Sequence, residues 1–237
     1  MNKISSQEFS SFLNRATIGG KINKYILQFQ DDGIKFAESD EPKFMFSVSK
    51  LDRTAFKEFE NIGNIVIGNG ELFNRMLSRF VGDINLEKVD NKIKMIGLFD
   101  NKECFFTLSD EESLDRVNEI KLDKLQHELE IDLSSEKLKE AVKNSESIDK
   151  DLDLLFETKK GELIISSGKD DAFKEIYNDK KIEKELKVNF GQPLKNVIGV
   201  LRENITIKLK NDYPIMIKNK TKNSEFIYVV GQKEETQ

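Results

Sequence analysis

Ile4-Ser5-Ser6-Gln7-Glu8-Phe9-Ser10-Ser11-Phe12-Leu13 returns 129 positions later as Leu133-Ser134-Ser135-Glu136-Lys137-Leu138-Lys139-Glu140-Ala141-Val142, with every apolar position aligned. Each copy reads as a strand end, a serine cap and an amphipathic helix whose apolar residues fall three and four apart. The same offset carries Tyr25-Ile26-Leu27 onto Leu154-Leu155-Phe156, and Ile34 and Phe36 onto Leu163 and Ile165, after turns at Asp32-Gly33 and Lys160-Gly161. A second offset, 121, aligns Gly70 with Gly191, Phe73 with Leu194, Met76-Leu77 with Val197-Ile198 and Phe80 with Leu201. Its register is expected to hold without a gap through Ile84/Ile205, Leu86/Ile207, Asp90/Asn211, Met95-Ile96/Met216-Ile217 and Phe105/Phe226. Agreement over such a span marks an internal duplication.

Within each copy the order is strand, helix, several strands, helix, strands. Helices are predicted over 6–16, 71–80, 135–144 and 192–201. The run Ile205-Thr206-Ile207-Lys208-Leu209-Lys210 alternates apolar and polar, as a strand with one covered and one wet face does. Asp90-Asn91, Asp100-Asn101 and Asn211-Asp212 supply hairpin turns. A sparsely apolar, initially acidic stretch from Ser109 to Leu125 reads as a connector. The predicted organisation is a first domain at 1–108, a connector at 109–126 and a second domain at 127–237, in an α+β fold with helices on one face of antiparallel sheets.

Composition excludes several function classes. No apolar run reaches the roughly 18 residues of a membrane helix, and the Met1-Asn2-Lys3-Ile4 start lacks a signal-peptide core. A lone cysteine, Cys104, leaves no internal disulfide and no cysteine-based zinc site. Any Ser-His-Asp arrangement would depend on His127, the one histidine, which has no nucleophile signature nearby. Gly68-Asn69-Gly70 lacks the third glycine of a dinucleotide loop, and the aspartate pairs Asp31-Asp32 and Asp170-Asp171 fall where turns favour aspartate. No catalytic residue, metal site or cofactor is therefore expected.

Two repeated domains joined by an acidic connector resemble the DNA sliding clamp family of the PCNA (proliferating cell nuclear antigen) type, found in archaea and eukaryotes. Asn211-Asp212-Tyr213-Pro214-Ile215-Met216-Ile217 is similar to that family's Asp-x-Pro followed by an apolar strand. Glu225-Phe226-Ile227-Tyr228-Val229-Val230, followed by Gly231-Gln232-Lys233-Glu234-Glu235, is similar to its final aromatic strand and acidic tail. Gly231-Gln232 stands where many members carry Ala-Pro. The resemblance implies a DNA polymerase processivity factor, a ring of three subunits around duplex DNA, placed on it by a clamp loader and tethering polymerase and other proteins. It further implies that the edges near Glu103–Leu108 and Ala172–Tyr177 pair between neighbouring subunits. The implied location is the cytoplasmic nucleoid in an archaeon, or the nucleus or a viral replication site otherwise.

The resemblance also implies roles for individual residues. Helices would line the hole, which assigns DNA contact to Arg15, Arg75, Arg79, Lys137, Lys139, Lys143, Lys195 and Arg202. These eight cations face four helical carboxylates, a surplus of four in a chain of net charge −5. A lining of this kind holds phosphates without reading bases. Clients would insert into a groove formed by Met45, Leu122, Leu125, Pro214 and Tyr228. Three simpler readings stay open: solvated helix faces, a core role for Tyr228, and a connector pinned to its own sheet. Alternative functions are a clamp-like subunit that is monomeric or part of a mixed ring, and a duplicated α/β small-molecule binding protein or hydrolase.

Overall fold

In a β-strand successive side chains point to opposite faces, so a helix pair that covers one face selects every second residue for the core. The computed structural model describes residues 1–99, 101–114, 122–159, 161–168, 173–178 and 182–232, and it applies this rule twice. The centre of the connector, Asp100 and Lys160 of the expected turns, the aspartate pair Asp170-Asp171, Ala172 at the start of the expected edge strand and the acidic tail lie outside the described residues.

The chain divides into two units, Met1–Glu119 with Lys220–Phe226, and Ile120–Asn219 with Ile227–Gln237. The first contains β1 (Asn2–Ser5), α1 (Ser6–Ala16), β2 (Tyr25–Gln30), β3 (Gly33–Ser39), β4 (Met45–Asp52), β5 (Phe56–Glu58), β6 (Gly63–Ile67), α2 (Gly70–Leu77), β7 (Asp83–Val89), β8 (Lys92–Gly97) and β9 (Glu103–Thr107). Its strands run in the orders β5-β1-β7-β8-β9 and β4-β3-β2-β6. The second contains β10 (Leu129–Ser134), α3 (Ser135–Ile148), β11 (Leu154–Lys159), β12 (Glu162–Ser167), β13 (Phe173–Asn178), β14 (Leu186–Phe190), α4 (Gln192–Val200), β15 (Asn204–Leu209), β16 (Ile215–Lys220) and the later part of β17 (Ser224–Val230). Its orders are β10-β15-β16-β17 and β13-β12-β11-β14. Every strand pair whose register is described is antiparallel. That removes the α/β hydrolase alternative, which needs a parallel sheet.

The duplication is visible bond by bond. Asn2 pairs with Leu86 in the first unit, and Ile131, 129 positions after Asn2, pairs with Ile207, 121 after Leu86. Tyr25 opposite Ile67 is repeated by Leu154 opposite Phe190. Even the helix entrances match. Ser6 N donates to Gly82 O at 2.8 Å and Ser135 N to Glu203 O at 2.9 Å, each acceptor in a left-handed turn. Those carbonyls satisfy a first-turn donor that the expected serine caps leave open, since neither Ser5 nor Ser134 caps through its side chain.

One stretch departs from the ungapped register. Leu86 pairs with Met95, but its counterpart Ile207 pairs with Ile217, not Met216. The β7–β8 turn is the two-residue Asp90-Asn91, while β15 and β16 are joined through Asn211-Asp212-Tyr213, with Asp212 at φ 53°. One added residue exchanges the faces, so Ile217 takes the core place of Met95, and Met216 lies on the other side of the sheet.

In the first unit Phe9 of α1 meets Phe73 of α2 edge-on at 6.5 Å, and Phe73 meets Phe106 of β9 at 5.1 Å. Phe226 joins this unit under Phe12 at 5.8 Å. In the second, Leu138, Ala141, Leu194, Val197 and Ile198 are buried, and Phe156 packs on Phe190 at 5.8 Å. Helix α3 runs to Ile148, four residues beyond its expected end, whereas α2 stops at Leu77, so Arg79 follows the helix instead of riding on it.

Two positions give direct tests. Gly33 has φ 132°, and a Cβ there would lie 2.1 Å from the Leu51 carbonyl oxygen. Gly33→Ala should therefore lower unfolding free energy by about 2–4 kcal/mol in urea titration, because backbone cannot give way at that distance. Glu38 on β3 accepts a 3.3 Å bond from Ile26 N, and burial pushes its carboxyl up to about 7. The folded state thus holds a proton that the unfolded chain releases near pH 4.5, so stability drains away as pH rises from there to about 7. Glu38→Gln should be more stable than the parent at pH 8, by on the order of 1 kcal/mol after solvent screening, and the gap should close at pH 4.

Candidate partner groove and nucleic-acid interface

The outer face of the second unit's sheet, opposite α3 and α4, carries a groove of about 670 Å³. Its floor follows from the register. Glu130, Lys208 and Met216 are consecutive ladder partners on β10, β15 and β16, so they share the face that Ile131, Ile207 and Ile217 leave. Leu122, Leu125, Leu129, Met216 and Ile227 supply apolar surface, and Asp123, Gln126, Glu128, Glu130, Lys208 and Lys218 the polar rim. The rim is partly neutralised: Lys208 pairs with Glu130 at 2.5 Å, and Lys184 with Glu128 at 3.3 Å.

The connector reaches this face as a single 3-10 turn, Leu122–Lys124, closed by Leu125 N donating to Leu122 O at 3.2 Å. Glu128 N then donates to Leu209 O at 3.0 Å, leading the chain into β10. His127 fastens the segment to the β15–β16 turn, with Nε2 3.0 Å from Pro214 O and its ring edge-on to Tyr213 at 5.4 Å. Gln232 holds the same turn from the chain's other end, donating to Lys210 O at 3.0 Å and Tyr213 O at 2.5 Å.

The five residues assigned to a client groove separate. Leu122 and Leu125 line it. Tyr228 is 0% exposed and belongs to the core, which its apolar neighbours Val229 and Val230 share. Met45 is buried within the first unit, and Pro214 contributes its carbonyl to His127 instead of its ring to the groove. The groove is also lined by Met216, Ile227, Leu129 and His127, which the sequence reading did not assign to it. Met216 was hidden by the one-residue shift, whereas the alternation of Leu129-Glu130-Ile131 could have drawn attention to the face.

The eight cations separate similarly. Arg75, Arg79, Lys137, Lys143 and Arg202 are exposed. Arg15 is only 5% exposed, its guanidinium 3.9 Å above the Phe226 ring, and Lys195 is 4% exposed, donating to Lys150 O at 2.9 Å. Both are removed from an exposed cationic surface, because a side chain that shallowly accessible cannot reach a phosphate. Lys139 is partly covered and pairs with Glu136 at 3.2 Å. Through its extra length α3 gains Glu146, and its three lysines are then matched by three glutamates. Two exposed lysines outside the helices, Lys21 and Lys24, flank the loop that anchors α2: Gly70 N donates to Asn23 O at 2.7 Å, and Glu71 N to Asn23 Oδ1 at 2.9 Å. Asn69 Oδ1 accepts from Leu72 N at 2.9 Å, completing the cap beneath Arg75.

The sheets end in strands open for further pairing. β9 terminates one sheet of the first unit and β13 one of the second. Each presents a solvent-facing apolar side chain at its centre, Phe105 at 50% and Ile176 at 47% exposure. Phe99, 83% exposed, and Val81 extend the apolar surface beside β9, the Phe99 Cβ lying 3.8 Å from where a Gly82 Cβ would be. Among the described residues there is no group of three or more potential metal ligands and no helix long and apolar enough to cross a membrane.

No protein-family model matches the chain, and no curated protein is significantly similar to it in sequence. Solved structures are similar along its whole length. A. fulgidus PCNA, in a structure with the C-terminal region of FEN-1 bound, gives a TM-score of 0.85 at 14% identity, covering 100% of both chains. PCNA from Thermococcus kodakaraensis gives 0.79 at 18% identity, covering 98% of this chain and 100% of that one. A PCNA2–PCNA3 complex from Sulfolobus tokodaii gives 0.77 at 16%, covering 99% and 100%. The chain therefore has the PCNA-type DNA clamp fold, with two similar domains of helices on antiparallel sheets.

Proposed function

We propose that the protein is a DNA polymerase processivity factor, a non-enzymatic clamp that encircles duplex DNA and presents the groove of its second unit to client proteins. The observation that carries this reading is the groove itself, a trough on the outer sheet face with apolar side chains set among polar ones and a connector segment along it, in a chain with the clamp fold throughout. A client segment would enter as a short turn with apolar anchors against Leu122, Leu125, Met216 and Ile227. The A. fulgidus protein bound to a FEN-1 C-terminal region supports a peptide as the occupant.

Closure follows from the two open strands. Pairing β9 of one copy with β13 of the next covers Phe105, Ile176 and two rows of unpaired backbone groups, and head-to-tail repetition closes a ring. Six repeats need three chains. The exposed cations Lys21, Lys24, Arg75, Arg79, Lys137, Lys143 and Arg202 would face the phosphates and release counterions without selecting bases. A clamp loader would open the ring. The Sulfolobus complex of two distinct clamps favours one second reading, a subunit of a mixed ring.

Light scattering after size exclusion at micromolar concentration should give three times the 27.3 kDa chain mass, and Phe105→Asp should reduce it to one. A parent protein that runs as a monomer would transfer the case to the mixed ring. Joint replacement of Lys21, Arg75 and Arg79 by glutamate should leave that mass unchanged yet lower polymerase extension on primed circular DNA at least tenfold. Undiminished extension would remove these side chains from the DNA surface.

A further inference from the structure

The groove contains one titratable ring whose chemistry the clamp reading leaves unused. His127 lines it, and Nε2 lies 3.0 Å from the carbonyl oxygen of Pro214. A carbonyl can only accept, so Nε2 carries the proton. In the neutral ring Nδ1 is then an acceptor, and among the described residues nothing donates to it. Burial, reinforced by the nearby Lys208, Lys210 and Lys218, holds the ring below its ordinary titration range, against the smaller upward pull of the Pro214 bond. The charged groups around it are Asp123, Lys124, Glu128 and Glu130 on the connector and β10, Lys208 and Lys210 on or just after β15, and Lys218 on β16. Lys208 is paired with Glu130, and Glu128 with Lys184, so the carboxylates closest in sequence are already engaged.

We propose that His127 is the specificity-determining polar residue of the groove, offering Nδ1 as an acceptor to an N–H of the client peptide. This rests on the groove being the client site. Leu122, Leu125 and Met216 can hold the anchors of a peptide but do not fix its register; with Glu128 and Glu130 already paired to lysines, the neutral Nδ1 joins Asp123 and Gln126 as an acceptor that can supply it. Peptides with a backbone or side-chain amide N–H at this place are admitted; those with a carboxylate or carbonyl there meet a lone pair and are refused. Protonation of His127 converts the acceptor to a donor, so donor faces donor and the client is released at acid pH. The bond to Pro214 survives that change, and the connector stays in place.

The test uses the full chain and, as probe, a synthetic peptide of the C-terminal region of A. fulgidus FEN-1. As the one histidine of the chain, His127 gives a single set of ring nitrogen signals in a long-range ¹H–¹⁵N NMR spectrum. At pH 7.5 these should show the Nε2–H tautomer, and saturating peptide should shift Nδ1. Because the ring titrates below its ordinary range, calorimetry should show the peptide binding progressively more weakly as pH falls from 7.5 to 4.5, with a loss of about tenfold, the effect of one hydrogen bond, once the ring is protonated. His127→Phe, which keeps a ring against Tyr213, should bind about tenfold more weakly at pH 7.5 and lose the pH dependence. An Nδ1–H tautomer, or affinity indifferent to pH while the Leu122 and Leu125 methyl signals still move with peptide, overturns the role of His127 and spares the groove. Absence of binding, or binding that leaves those methyls unmoved, overturns both.

Discussion

Strand alternation is the constraint on which this molecule depends. Each unit lays two amphipathic helices over one face of its sheets, and that contact fixes which member of every neighbouring residue pair is core. Phe9, Phe73 and Phe106 interlock only because β9 is in the register that turns Phe106 inward and leaves Phe105 out. The face left over is then free to do other work. In the second unit it becomes the groove; at β9 and β13 it becomes exposed apolar strand edge. A shift of one residue in any strand would exchange those assignments wholesale.

Such a shift is visible between β7–β8 and β15–β16. The added residue in Asn211-Asp212-Tyr213 moves Ile217 into the place Met95 holds in the first unit and sends Met216 to the outside. The longer turn also presents the Pro214 carbonyl that His127 grasps and the Tyr213 and Lys210 carbonyls that Gln232 grasps. Both ends of the second unit are thus fastened to the loop that created the difference between the two copies. The copies share a core and diverge at a turn, and the groove lies where they diverge.

That history explains what could be read from the sequence. The duplication, the four helices and the hairpins were legible because they rest on periodicity, and Asn2/Leu86 with Ile131/Ile207 repeats to the residue. Phase within a strand was legible only up to the turn: an insertion of one is invisible when apolar residues such as Met216 and Ile217 stand side by side. Burial of cations was likewise not legible. Arg15 and Lys195 lie on helices whose periodicity suggests solvent, but an aromatic ring and a backbone carbonyl hold them inside. Tyr228 read equally well as core or groove, and only its neighbours in three dimensions decide that it is core.

Electrostatics and topology also constrain each other. With Arg15 and Lys195 buried and Lys139 paired to Glu136, the exposed cations left on the helices are Arg75, Lys137 and Lys143, set against the exposed Glu71, Glu140 and Glu146; Lys21, Lys24, Arg79 and Arg202 lie outside the helices. Three against three leaves no surplus on the helices themselves, and any phosphate contact made by the four cations beside them is diminished further at physiological salt. On charge alone a single chain would have little hold on a duplex. If such a protein is to stay on a duplex, linkage rather than attraction must retain it, and linkage requires that β9 and β13 meet. On the proposed reading the modest cationic surface would be an advantage, because a lining that barely grips would leave a ring free to slide.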